Sequence, residues 1–229
     1  MKIAIIKADD IKGVDERFLR FIETSKNLGI KVSCGIICES LENPKKEYVE
    51  WMLAEQKQGF VEFWNHGWDH KRWNENEETI SEFGGSGYAH QKEHFVDSQN
   101  AIKRILGQSP ISFGSPYNAF DADTKRVISE DESIRLLFCY RDPNLENVVP
   151  AFMALRGEPD GTGNPNAAKF IDSYNQKNDI TFSAIQFHPA NFDDQDFVEY
   201  EKTITFLLEK DWVFMLPSEY ITWLEDKSK

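Results

Sequence analysis

The stretch KIAIIKADD, residues 2–10, is a short apolar run that ends in two aspartates. Such a run predicts a buried β-strand that ends where the charges begin. Comparable runs recur along the chain between longer amphipathic segments: KVSCGIIC (31–38), FVEFWNHG (60–67), ISFGSPY (111–117), RLLFCYRD (135–142), AFMALRGE (151–158), TFSAIQFHP (181–189) and WVFMLPSEY (212–220). Short apolar runs that alternate with helical segments indicate an α/β protein with parallel strands.

The amphipathic segments predict helices at residues 15–28, 44–57, 88–106, 121–130, 165–177 and 193–210. The repeats lack the glycine fingerprint of a dinucleotide-binding fold, so they favour a TIM-barrel-like closed barrel over an open Rossmann sheet. We expect one domain over residues 1–229, with the glycine-rich EFGGSGY (82–88) as an internal loop.

The charge of the chain limits its partners. Its 229 residues carry a formal net charge of −13, which argues against binding to nucleic acid or to an anionic membrane surface. The apolar run in MKIAIIKADD is too short for a signal peptide or a membrane-spanning helix. We expect a cytoplasmic protein with a small-molecule substrate, and the sequence leaves its oligomeric state open.

Polar residues follow many of the predicted strands. In a barrel of this kind, reactive groups gather at the carboxyl ends of the strands. The residues that would share this rim are Asp9, Asp10, His66, residues 115–118, Asp142, Arg156 and His188. A functional site is therefore predicted at this end of the barrel.

His66 and His70 lie four residues apart in FWNHGWDHKRW (63–73). On one helical turn this spacing lets both imidazoles reach one cation at roughly 2.0–2.1 Å, with a third ligand still required. Gly67 and Trp68 follow the first histidine, so the glutamate of the zincin peptidase motif is missing. The pair therefore indicates a metal site of another kind.

Asp9 and Asp10 are the candidates for the third ligand and for a base. Adjacent side chains on a regular strand point to opposite faces, so both can face one site only where the backbone turns. One carboxylate would complete the metal site, and its neighbour would accept a proton from water. The alternative is a solvated acidic turn before the helix that begins near Asp15.

His188 follows a predicted strand that Pro189 ends. A histidine at this rim suits a general acid that protonates a leaving group, and a hydrogen-bonded structural residue is the alternative. Gln186 shares its face, which predicts a contact with His188 or with substrate. His90 and His94 repeat the four-residue spacing on a polar helix, and we interpret them as surface histidines, with a second metal site as the alternative.

Four motifs follow one another along the chain: KADD (7–10), NHGWDH (65–70), GSPYN (114–118) and FHP (187–189). Their order resembles that of the polysaccharide deacetylase family, carbohydrate esterase family 4, from Lys7 to Leu216. The resemblance implies a distorted (β/α)7-type barrel that hydrolyses an N- or O-acetyl group on a carbohydrate. It also implies a divalent metal, usually Zn²⁺, with Co²⁺, Ni²⁺ and Fe²⁺ as the alternatives.

The resemblance assigns roles to single residues. Asp9 matches the general base, and His188 matches the general acid. The backbone N–H of Tyr117 matches a donor that stabilises an oxyanion beside the metal. The family's metal ligands match Asp10, His66 and His70.

Departures from the family pattern concern the groups around the base and the acid. Gly114 occupies the position of the third-motif arginine that fixes the base. Arg141 and Arg156, at neighbouring strand ends, are predicted as its replacements. Asp142, in YRDPN (140–144), is the candidate for the carboxylate that orients the acid.

Three residues are predicted to contact substrate: Trp68, Trp73 and Gln186. Trp68 and Trp73 can stack on sugar rings, and packing beneath a loop is the alternative. Two other functions stay open besides carbohydrate deacetylation. One is a metal hydrolase that opens amide or imide C–N bonds in small compounds, and the other is a catalytically impaired sugar-binding protein.

Overall fold

The fold is built around β1 (Lys2–Ile11), whose side chains alternate between two apolar environments. Ile3 and Ile5 belong to the apolar cluster inside the curl of the sheet. Ala4 and Ile6 belong to the cluster between the sheet and its helices. Strand β1 therefore contributes side chains to both apolar cores.

The computed structural model describes residues 1–159, 163–177 and 179–229. The other strands in these ranges are β2 (Val32–Ile36), β3 (Val61–Asn65), β4 (Arg72–Glu75), β5 (Glu78–Ser81), β6 (Ser112–Phe113), β7 (Leu136–Cys139), β8 (Val149–Phe152), β9 (Phe182–Phe187) and β10 (Trp212–Phe214). The helices are α1 (Glu16–Asn27), α2 (Lys46–Gln58), α3 (Tyr88–Leu106), α4 (Ala122–Ser129), α5 (Ala167–Asn175), α6 (Asp194–Glu209) and α7 (Pro217–Lys227). None of the described helices is long and apolar enough to cross a lipid bilayer.

Parallel pairing in the order β9-β1-β2-β3-β6-β7-β8 curls the main sheet into an open barrel, and β10 pairs with the first residues of β1. No backbone ladder joins β8 to β9 within the described residues. Instead, the Leu155 backbone N–H donates to Ser183 Oγ at 2.9 Å across this seam. The arrangement confirms the predicted α/β fold as a distorted (β/α)7-type barrel, but its predicted closure is incomplete, because β8 and β9 do not pair within the described residues.

The predicted helices form within a few residues of their expected ends, but the chain also contains elements that were not predicted. Helix α7 replaces the end of the predicted run 212–220, because Pro217 suits the first turn of a helix. The hairpin β4–β5 turns through Asn76 and Glu77, both with positive φ, and a glutamate there gives no hairpin signal. The predicted strand 151–158 was wrong beyond Phe152, where β8 ends.

Trp64 fills the interior of the barrel, and Gly35 on the neighbouring strand makes room for it. The Trp64 side chain is fully buried, and a Cβ added at Gly35 would overlap its indole ring. The interior is close-packed at this level, so an added methyl group requires the indole or the strand to move.

We expect Gly35→Ala to lower the free energy of unfolding by about 1–3 kcal/mol, the usual cost of overpacking a core. Urea denaturation measures this change. Gly13→Ala is the matched control, because a Cβ at Gly13 meets no atom within 4 Å. Equal stabilities for the two variants would contradict the proposed packing.

Candidate active site

Both aspartates of β1 reach the barrel opening because the strand is irregular there. The pairing of β1 with β2 shifts in register between Ala8 and Ile11, and Asp10 has a φ of 72°, in the left-handed region. A β-bulge of this kind redirects a side chain, so Asp10 lines the same cavity as Asp9. The backbone turn that the sequence required for two convergent carboxylates is therefore present.

Asp10, His66 and His70 bring their ligand atoms within 4.8 Å of one another. Asp10 Oδ1 lies 3.2 Å from His66 Nε2 and 3.2 Å from His70 Nε2. Asp10 Oδ1 and His66 Nε2 are buried and have no hydrogen-bond partner among the described residues. Two unsatisfied atoms at this separation fit a bound cation, and one carboxylate with two imidazoles is a donor set that zinc and related divalent ions accept.

The protonation states of this cluster suit ligands. Burial and the neighbouring His66 lower the pKa of His70, which favours the neutral imidazole that a metal needs. Burial alone would raise the pKa of the Asp10 carboxyl, but His66 and His70 hold it well below its usual range. Asp10 is therefore a carboxylate at neutral pH.

Contacts behind the cluster fix the two histidines. His66 Nδ1 lies 2.5 Å from the Gly114 carbonyl oxygen, which directs a proton to Nδ1 and leaves the Nε2 lone pair free. The fully buried Glu82 carboxylate accepts the backbone N–H of His70 at 2.8 Å and that of Trp68. Glu82 therefore holds the turn that carries His70.

The second histidine pair lies behind the same turn. His94 is partly buried, and its Nδ1 is 3.1 Å from Glu82 Oε1. The His90 ring lies 3.9 Å from the His94 ring, centroid to centroid. The interpretation of these two as surface histidines was wrong for His94, because helix α3 presents it to Glu82. The Glu82 oxygens accept backbone hydrogen bonds of the turn, so this cluster supports it. Asp69, Glu82 and His94 also bring ligand atoms within 4.8 Å of one another, so a second metal site stays the alternative.

Asp9 lies between His66 and His188 at the opening, with its Oδ2 3.7 Å from His66 Nε2. Asp9 Oδ2 accepts from Gln186 Nε2 at 2.9 Å, and His188 Nε2 is 3.8 Å from the same oxygen. Glu158 Oε2 lies 2.7 Å from His188 Nδ1, and Glu158 Oε1 accepts the His188 backbone N–H at 2.6 Å. Burial lowers the pKa of His188, but Glu158 and the nearby aspartates more than offset this and raise it to about 9.

A cavity of about 430 Å³ opens over these groups. Its lining includes predicted site residues from several parts of the chain: Asp9, Asp10, His66, His70, Tyr117, Arg156, Gln186 and His188. The volume lies within the usual range for small-molecule sites. The structure therefore brings these residues together, and their individual roles stay predictions.

Other predicted site residues lie outside the cavity lining. The Trp68 side chain packs against the outer core, and the Trp73 ring lies 5.7 Å from the His90 ring. Their positions favour packing over contact with sugar in this cavity. Asp142 is exposed and accepts the Asn144 backbone N–H, so it is a turn residue rather than a partner of the acid.

The sequence of residues 4–132, more than half of the chain, matches the family model described as polysaccharide deacetylase. The chain belongs to the polysaccharide deacetylase family. No curated protein matches it at the sequence level.

Solved structures of CE4 family proteins share the fold. An acetyl xylan esterase from Clostridium thermocellum, solved with a cobalt ion, is 15% identical, with a TM-score of 0.67 over 97% of this chain and 91% of that one. A peptidoglycan deacetylase from Bacillus subtilis is 13% identical, with a TM-score of 0.65 over 99% and 94%. A CE4 family pseudoenzyme from Bacillus anthracis is 13% identical, with a TM-score of 0.66 over 96% of this chain, which spans 65% of that protein.

Three carboxylate or cationic residues at the site were not predicted: Lys7, Glu82 and Glu158. Glu158 lies beside His188, in the place that was predicted for Asp142. Lys7 forms the ion pair with Asp9 that was expected from Arg141 or Arg156. Among the described residues, neither arginine forms an ion pair with Asp9, so that prediction was wrong.

We expect Glu82→Gln to weaken binding of Zn²⁺ by about 10- to 100-fold, the usual effect of removing a group that orients metal ligands. The amide retains one acceptor oxygen where the carboxylate serves three donors. Competition with a chromophoric chelator measures the affinity. The control is Glu78→Gln, an exposed change on β5, and an equal loss in both variants would contradict a specific role for Glu82.

Proposed function

We propose that this protein is a metal-dependent hydrolase that removes an N- or O-linked acetyl group from a carbohydrate. The observation that carries the proposal is the pair of unsatisfied buried atoms, Asp10 Oδ1 and His66 Nε2, with the Asp9 carboxylate 3.7 Å from the latter. A cation site next to a base and opposite a histidine is the arrangement required to hydrolyse an acyl group with water.

Asp10, His66 and His70 would hold a divalent ion, which would supply Lewis-acid activation of water and of the acetyl carbonyl. Asp9 accepts the proton of the attacking water at Oδ1, the oxygen without a hydrogen-bond partner among the described residues. The Tyr117 backbone N–H stabilises the developing oxyanion. His188 then donates its proton to the departing amine or alcohol.

Zn²⁺ is the ion that we propose, because one carboxylate and two imidazoles suit it. Co²⁺, Ni²⁺ and Fe²⁺ accept the same donors, and the cobalt ion in the Clostridium thermocellum esterase supports this breadth. The carbohydrate class is supported by the names of the similar proteins, an acetyl xylan esterase and a peptidoglycan deacetylase. The cavity volume suits a small sugar or the end of a larger one.

The test combines metal content with acetate release from a panel of acetylated sugars. We expect near-stoichiometric metal in the wild type and its loss from an Asp10→Ala/His66→Ala/His70→Ala variant. Asp9→Asn should keep the metal and lose activity by about 100-fold or more, since a general base contributes at least that much. Asp142→Asn, on an exposed turn outside the cavity lining, should keep both properties and serves as the control.

Other outcomes would replace the proposal. Bound metal with opening of cyclic imides or ureides, but no acetate release, would identify an amide or imide hydrolase. Sugar binding without turnover on any substrate would identify a binding protein. Full acetate release by Asp9→Asn would refute the assignment of the base.

The Glu158–His188 pair predicts a change in the pH profile. His188 has a raised pKa of about 9, so its acid form is present below that pH and is lost as pH rises through it. Glu158→Gln removes the negative partner, and we expect the alkaline limb of kcat against pH to move to lower pH. Asp142→Asn, on the exposed turn, should leave the limb in place. An unchanged limb in Glu158→Gln would show that another group donates the proton.

A further inference from the structure

Lys7 is a fully buried cation directly beneath the proposed base. It lies on β1 two residues before Asp9, so the alternation of the strand places both side chains on the interior face. Lys7 Nζ donates to Asp9 Oδ2. The ammonium also lies 5.0 Å from the Trp64 ring centroid and 5.8 Å from that of Phe138.

Burial of this ion pair costs hydration free energy. A charge inside a packed barrel loses its hydration, and only a close partner of opposite sign compensates. The Lys7 side chain is 0% exposed and that of Asp9 is 2% exposed. Aromatic faces favour the cation, although each contributes less than the carboxylate. The position of the Asp9 carboxylate is therefore tied to that of the Lys7 ammonium.

Gly114 leaves the space that Lys7 and Trp64 occupy. A Cβ added at Gly114 would lie 3.2 Å from Lys7 Cε and 2.8 Å from Trp64 Cζ3. A long side chain at position 114 would therefore clash with Lys7 and Trp64 in their observed positions. The cation beside Asp9 thus comes from β1 itself, and a cationic side chain at position 114 has no room.

The donors on Asp9 leave one of its oxygens free. Oδ2 accepts from Lys7 Nζ and from Gln186 Nε2. Oδ1 is buried and has no hydrogen-bond partner within the part of the chain that the structure describes. Lys7 and Gln186 occupy both lone-pair directions of Oδ2, so the acceptor positions that remain open on Asp9 are those of Oδ1.

We propose that Lys7 is the positioning residue for the base: its ammonium holds the Asp9 carboxylate so that Oδ1 accepts the proton. This rests on the proposed function, in which Asp9 is the base. Lys7 acts through Asp9 and touches neither the metal ligands nor the substrate cavity.

The experiment compares the zinc-loaded wild type with Lys7→Met, which keeps the length of the side chain and removes its charge. We expect kcat to fall by about 100-fold, because misplacing a catalytic group has an effect of this size. KM should stay within about threefold of the wild-type value. Zinc affinity should not change. Ser33→Ala, which removes a buried hydrogen bond to the Ile6 carbonyl on the same strand, is the control and should keep kcat.

A double-mutant cycle with Asp9→Asn separates positioning from structural damage. If Lys7 acts only through Asp9, Lys7→Met lowers kcat no further once Asp9 is replaced. The neutral double variant should also be more stable than Asp9→Asn alone, which leaves Lys7 buried and unpaired. A further 100-fold loss of kcat in the double variant would overturn the proposal.

Crystal structures of the two zinc-loaded proteins test the positioning without turnover. We expect the Asp9 carboxylate to rotate in Lys7→Met and to lose its 2.9 Å contact with Gln186. An unmoved carboxylate would overturn the proposal even if the enzyme were active. A wild type that releases no acetate would instead reject the proposed function, and the two crystal structures would still decide the role of Lys7.

Discussion

Side chains on a β-strand alternate between its two faces, and the site depends on where β1 follows this rule and where it breaks it. By following it, Lys7 and Asp9 both enter the barrel interior. By breaking it at the register shift after Ala8, the strand turns Asp10 toward the same opening. In a regular strand Asp10 would face the helices, and the two histidines of the β3 turn would have no carboxylate between them.

The charges at the barrel opening are balanced in pairs. Asp9 has the ammonium of Lys7, and Glu158 has the imidazole of His188. Asp10 has only imidazoles beside it, and His70 among them is shifted toward its neutral form. Because Asp10 Oδ1 is buried and has no hydrogen-bond partner among the described residues, Asp10 is the place in this network where a cation from solution would be compensating.

The sequence was sufficient to predict the barrel and to identify the candidate site residues that lie at strand ends in recognisable spacings. Asp10, His66 and His70 could be grouped because strand ends converge. The helical turn expected from the spacing of the two histidines was wrong, because residues 66–70 form a non-helical turn in which Gly67 and His70 have positive φ. Glu158 and Glu82 could not be found, since nothing near them in the chain shows that they meet His188 and His70.

The ion pair between Lys7 and Asp9 could have been predicted from the sequence. A lysine two residues before Asp9 in an apolar strand must share its face, and a buried face admits a cation only with a partner. The substrate contacts predicted for Trp68 and Trp73 are not supported by the structure, in which both side chains pack against protein. Aromatic side chains near a motif pack as readily as they bind, and only the tertiary structure shows which.

The seam between β8 and β9 divides the site into two parts with different mechanical support. Asp10, near the end of β1, and His66, directly after β3, lie on strands joined by backbone pairing through β2. Glu158 follows β8 and meets His188 across the seam, where Leu155 and Ser183 form a bridge. A substitution in the segment after β8 can therefore displace Glu158 from His188 while the strand pairing that carries Asp10 and His66 stays intact.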